Sequence, residues 1–104
     1  MQIQINTDKN VTGSEDLIAS STSLISEHLS RFSEQITRVE VHFSDEDGNK
    51  DGHNDKRCMV EARLAGMNPI AVTNLANTHE QAVFGALDKL KTSLKKITGR
   101  LKNY

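Results

Sequence analysis

ITRVEVHFSDEDGNKDGHNDKRCMVEARL, residues 36–64, decides the fold. In its first third, Val39, Val41 and Phe43 alternate with Arg38, Glu40 and His42. In its last third, Cys58, Val60, Ala62 and Leu64 alternate with Arg57, Met59, Glu61 and Arg63. A period of two places one set on a buried face and the other on an open face, so 36–44 and 57–64 are predicted strands. Between them, Asp45–Asp55 is rich in Asp, Asn and Gly and contains Asp47-Gly48 and Asp51-Gly52, which predicts a loop. A turn over Gly66–Pro69 leads into a third strand, Ile70–Leu75. The single proline sits at the start of that strand, where a missing N–H does least harm. Three strands joined this closely form an antiparallel meander.

The flanks complete the pattern. Met1–Asn6 alternates Ile3 and Ile5 with Gln2, Gln4 and Asn6, a short strand with one buried face. Thr12-Gly13-Ser14-Glu15 has capping-box spacing, and Leu17, Ile18, Leu24, Ile25, Leu29 and Phe32 follow at helical intervals. They predict an amphipathic helix over about 13–31. Thr78–Gln81 repeats the capping spacing ahead of Val83, Leu87, Leu90, Leu94, Ile97 and Leu101, which predicts a helix over about 79–101. Gly99 is expected to loosen or end its last turn. The order is β-α-β-β-β-α. A helical crossover between the first two strands makes them parallel and right-handed. The expected fold is α+β, a two-layer sandwich: a four-stranded, mostly antiparallel sheet with both helices on one face and the other face solvated.

The chain has 104 residues, 36% hydrophobic and 26% charged, which suits one domain over 1–104. No segment has the length of a membrane span and the N-terminus has no signal-peptide pattern, so a cytoplasmic protein without membrane contact is expected. Cys58 is the only cysteine, which rules out an internal disulfide and a thiolate metal cluster within one chain. The net charge of −1 is a sum of unlike parts. Residues 1–84 carry seven Lys/Arg against thirteen Asp/Glu, and residues 85–104 carry six against Asp88 alone. An acidic body with a basic C-terminal helix points to nucleic acid or another acidic surface.

Catalytic and metal constellations fare poorly. Asp47, Asn49, Asp51 and Gly52 imitate half of a calcium loop, with Asp55 at the ninth position, but Cys58 stands where a bidentate Glu is needed. His42, His53 and His79 are scattered, and His28 reads as a partly buried, hydrogen-bonded residue of the first helix rather than a ligand. Cys58 points to the core, and there is no nucleophile elbow and no phosphate-binding glycine loop. The expectation is a non-enzyme with no cofactor, no metal and no small-molecule substrate.

The basic helix remains. At 100° per residue, Lys91, Lys95 and Lys102 fall on one flank of its apolar stripe, and Lys89, Lys96 and Arg100 on the other. A helix built only for structure gains from interspersed Glu–Lys pairs, and here the acids are missing. Cations on such a platform supply salt-sensitive, sequence-independent attraction to phosphates. Aromatic stacking is not expected: Phe32 and Phe43 read as core and Phe84 is the only phenylalanine left over.

The whole pattern resembles the short ribosome hibernation-promoting and ribosome-associated inhibitor proteins, formerly described as sigma modulation proteins. The resemblance rests on the element order, on Met1-Gln2-Ile3-Gln4-Ile5, on Val39-Glu40-Val41-His42-Phe43, and on Ala82-Val83-Phe84-Gly85-Ala86-Leu87-Asp88-Lys89-Leu90 followed by Leu94-Lys95-Lys96. It implies a domain like a double-stranded-RNA-binding fold that lodges in the small ribosomal subunit and silences translation in stress or stationary phase. It further implies that Lys89, Lys91, Lys95, Lys96 and Arg100 contact ribosomal RNA phosphates, with Arg38, Arg57 and Arg63 of the open sheet face as weaker candidates. No C-terminal dimerisation domain of the long family forms is expected in this length. A different-class alternative is a regulatory protein–protein module of the same fold, with the acidic loop 45–55 as its recognition element.

Overall fold

The computed structural model describes residues 1–9, 11, 13–46 and 55–101, with Arg100 and Leu101 described by backbone alone. Strand β1 (Gln2–Thr7) leads to helix α1 (Ser14–His28), then strands β2 (Ile36–Asp45), β3 (Lys56–Leu64) and β4 (Ile70–Ala76), and finally helix α2 (His79–Leu101). The sheet order is β1-β2-β3-β4, with β1 parallel to β2 and the other pairs antiparallel. This is the expected α+β topology.

Alternation sets the layers. Val39, Val41, Phe43, Cys58, Val60 and Ala62 are all buried on the inner face. The helices lie across that face and fill it with Leu17, Ile25 and Leu29 from the α1 side and Ala82, Val83, Ala86, Leu87, Leu90 and Leu94 from α2. Toward its C-terminus the α2 stripe emerges, since Leu94 is buried, Ile97 only partly so, and a Cβ on Gly99 would meet open space.

Several local expectations shift. The first helix ends at His28, not near 31, because Leu29 (φ −103°, ψ 8°) leaves helical geometry. The chain continues as a 3₁₀ turn over Ser30–Phe32, which buries the Phe32 ring and lets Gln35 N–H bond the Phe32 carbonyl at the entry to β2. The first capping box is not the cap that forms: Gly13 holds the N-cap position in a left-handed conformation (φ 64°), with no side-chain hydrogen bond. Thr12 itself lies outside the described residues. The second box does form, with Gln81 N–H donating to Thr78 Oγ1 at 3.1 Å. Gly99 does not end α2, which runs on to Leu101.

The base of the acidic loop is not a solvated turn. β2 extends to Asp45, and Asp45 and Asp55 are both buried. Lys56 Nζ donates to Asp45 Oδ2 at 2.8 Å and to Asp55 Oδ2 at 3.1 Å, closing the hairpin. The bond to Asp45, and then that to Asp55, raises the Lys56 ammonium pKa above its ordinary range.

Candidate nucleic-acid interface

The two helices run side by side in the same direction. Ser20, Ser21 and Leu24 of α1 lie against Glu80 and Val83 at the start of α2. At the end of α1 and just beyond it, His28 and Arg31 meet Lys91 and Lys95, forming a shallow groove with Glu27 and Ser30. Lys91 Nζ stands 3.5 Å from His28 Nδ1, and the Arg31 guanidinium packs 5.2 Å from the Phe32 ring centroid. The first α2 flank thus becomes a cationic groove rather than a row of isolated lysines. Arg31 is a member that helical periodicity in α2 could not supply. Its only sequence signal is its place just past α1, three residues after His28.

The second flank faces β4. Lys89 Nζ donates to the Thr73 carbonyl at 2.7 Å, so its charge sits over the edge strand, and Lys96 is exposed. The side chain of Arg100 and the whole of Lys102 lie outside the described residues. Among the described residues, no carboxylate forms an ion pair with Lys89, Lys91, Lys95 or Lys96.

The open sheet face is arranged differently. Arg38 stands opposite Arg63, and Glu40 opposite Glu61. Like charges directly across a strand pair repel, and each row is relieved by the next. Arg38 Nε bonds Glu40 at 3.0 Å, Arg63 Nε bonds Glu61 at 3.3 Å and Arg63 also reaches Glu40 at 3.9 Å. Arg38 further donates to Gln2 at 3.1 Å and to the Gln4 side-chain carbonyl. The hydrogen bond from Arg38 holds the Glu40 carboxyl below the usual carboxylate range. Arg57 pairs with Glu46 at 3.6 Å. The three arginines expected from sequence to be weaker phosphate ligands are therefore matched by three glutamates, and their charge is largely spent within the face.

Phe84, the phenylalanine left over from the core, lies on the surface. It is 53% exposed, and the half-buried His28 ring meets it edge to face, with centroids 5.3 Å apart and planes at 81°. The remaining histidines play other parts. His42 faces Met59 across the open sheet face, and His79 packs on Phe43 with Nε2 3.4 Å from the Ser44 carbonyl. His53, and the calcium-loop positions Asp47, Asn49, Asp51 and Gly52, lie outside the described residues. Burial pushes the Cys58 thiol up to about 12, which removes it as a nucleophile near neutrality. No group of three or more His, Cys, Asp or Glu among the described residues could hold a metal ion. A pocket of about 180 Å³ under the end of α2 is lined by Leu64, Met67, Leu94 and Ile97 with Glu34, Gln35 and Thr98 at its polar margin. No helix among the described residues is long and apolar enough to cross a membrane.

A four-stranded β1-β2-β3-β4 sheet with two helices on one face defines a small two-layer α+β domain, a class that solved structures share. A ribosomal subunit interface protein from Coxiella burnetii shares the fold with a TM-score of 0.73 at 20% identity, over 95% of this chain and 99% of that one. The N-terminal domain of Thermus thermophilus Protein Y shares it with a TM-score of 0.70 at 21% identity, over 93% and 99%. The chain belongs to the family described as Sigma 54 modulation protein / S30EA ribosomal protein, whose family model matches residues 3–102. No curated protein matches the chain significantly.

Proposed function

We infer that this chain is a non-enzymatic, ribosome-associated inhibitor of translation, a cytoplasmic single domain that binds ribosomal RNA of the small subunit under stress or in stationary phase. The observation that carries the reading is the contrast between two cationic surfaces. The α2 lysines have no carboxylate partners among the described residues, whereas the sheet-face arginines do. Free cations on a rigid helix attract phosphates and release counterions when they bind, while self-paired ones must first give up a partner. Family membership, and the likeness to a ribosomal subunit interface protein of Coxiella, support the ribosome as the partner.

Lys91, Lys95, Lys96 and Lys89 hold the RNA phosphates, with Arg100 and Lys102 as further contacts, and Arg31 joins Lys91 and Lys95 across the groove. Arg38, Arg57 and Arg63 stand behind them. The test is sedimentation with ribosomes through a sucrose gradient. The native chain should travel with the small subunit at low salt and leave it as salt rises. The combined Lys91→Glu, Lys95→Glu, Lys96→Glu variant should stay at the top of the gradient at every salt concentration. Unchanged co-sedimentation of that folded variant would overturn the RNA surface assigned to α2.

A further inference from the structure

We propose that Phe84 and the groove beside it form a nucleotide subsite, in which an unpaired RNA base stacks on the Phe84 ring while Lys91, Lys95 and Arg31 hold the adjoining phosphates. The proposal rests on the phosphate-binding reading above and adds a base interaction to it.

The placement follows from helix geometry. Phe84, Lys91 and Lys95 are seven and four residues apart, which brings them within about 20° of one line along α2. That line borders the groove whose far wall is His28 and Arg31. The ring is more than half exposed although every other phenylalanine is buried, so its exposure is not forced by a shortage of aromatic places in the core. His28 meets it edge to face at 5.3 Å, and Lys91 Nζ lies 3.5 Å from the same imidazole. The ring is thereby steadied from one side and bordered by a cation. A base offers a flat apolar surface and carries its own phosphate. An aromatic ring next to cations matches both parts, whereas an apolar protein surface would leave the lysines unanswered. Glu27 also lines the groove, and Asp88 lies one turn beyond Phe84. Three cations against these two acids leave the groove with a net positive charge.

The test uses the protein labelled with 4-fluorophenylalanine. Phe43 is buried away from the groove and serves as the internal reference for Phe84 in the fluorine spectrum, while Phe32, under Arg31, reports on that cation. Titration with a short single-stranded oligoadenylate should move the Phe84 resonance and leave Phe43 in place, and a blunt RNA duplex should leave the Phe84 resonance unmoved. Phe84→Ala and Phe84→Leu should each weaken oligoadenylate binding roughly tenfold without changing its salt dependence, since stacking and not charge is removed. Native-like binding by Phe84→Leu would reduce the interaction to apolar bulk and overturn the stacking claim. A Phe84 signal unmoved by oligoadenylate, with binding still abolished by Lys91→Glu and Lys95→Glu, would overturn the base subsite and leave the phosphate reading standing. Binding indifferent to both sets of variants would overturn the two together. A Phe84 shift that tracks protein concentration without RNA would show the ring to be an interface between copies of this chain, and would also refute the subsite.

Discussion

Gly85 of α2 passes so close to Asn74 of β4 that a Cβ on the glycine would meet Asn74 Cγ at 2.8 Å. The amide cannot simply swing aside, because its Nδ2 donates to the Ala82 carbonyl at 3.2 Å. Helix propensity alone favours Gly→Ala by about 1 kcal/mol. Displacing the amide forfeits a hydrogen bond of about 1 kcal/mol and adds an overpacking cost of about 1–3 kcal/mol. Gly85→Ala should therefore destabilise by about 1–3 kcal/mol. Gly99→Ala, where nothing lies within 4 Å, should stabilise by a few tenths to about 1 kcal/mol. Urea midpoints of the two variants decide it, and adding Asn74→Ala to Gly85→Ala should recover part of the stability, a coupling a double-mutant cycle measures.

Ser21 faces the seam between α1 and α2, and its hydroxyl is buried without a partner. An unsatisfied hydroxyl there costs about 1 kcal/mol or more, and alanine is also the better helix former. Ser21→Ala should raise stability by about 1 kcal/mol and increase the melting temperature by several degrees. A fall in melting temperature would mean that the hydroxyl finds a partner in solution.

Cys58 makes an alkaline prediction whose sign is fixed by burial. Burial raises its thiol from 9.0 to about 12 in the native chain, while the nearby Arg57 pulls weakly the other way. As pH rises past 9 the unfolded chain gives up this proton and the native chain keeps it, so stability should fall by about 1.4 kcal/mol per pH unit until the native thiol also ionises. Cys58→Ala should remove that slope. At neutral pH a thiol reagent should label native protein only through opening, far more slowly than it labels the chain in urea.

The strands were legible because Val39, Val41 and Phe43 on one side and Cys58, Val60 and Ala62 on the other signal a buried face through period alone. The parallel β1–β2 pair was equally legible, since a helix between two strands leaves few other routes. Register was not. Nothing in the order of residues says that Arg38 sits opposite Arg63 and Glu40 opposite Glu61, so the sheet arginines read as free cations until the strands are paired. The groove is tertiary for the same reason. Arg31 and Lys95 lie 64 positions apart and meet only because α1 and α2 run the same way. Phe84 was visible as the phenylalanine without a place in the core, but its neighbour His28 was not. Asp45 and Asp55 carried the composition of a turn, yet Lys56 draws both into the hairpin base.

That difference between paired and unpaired cations gives the final prediction. Each phosphate interaction removed from single-stranded RNA should flatten the slope of log binding constant against log salt by about 0.7. Lys91→Gln with Lys95→Gln should therefore weaken ribosome association and reduce the slope by about 1.4, because neither side chain has a carboxylate partner that already claims its charge. Arg38→Gln with Arg63→Gln should barely move the slope. It should instead lower stability modestly, by freeing Glu40 and Glu61 to repel across the strand pair. That destabilisation should shrink as pH falls through the lowered Glu40 range, since the carboxylate whose charge the arginines stabilise is then neutral. Salt titration of ribosome co-sedimentation, beside melting curves taken at neutral and acid pH, separates the two surfaces. A steep drop in slope from the arginine pair would move the RNA-binding surface to the sheet face, where the interstrand ion pairs would have to open on binding.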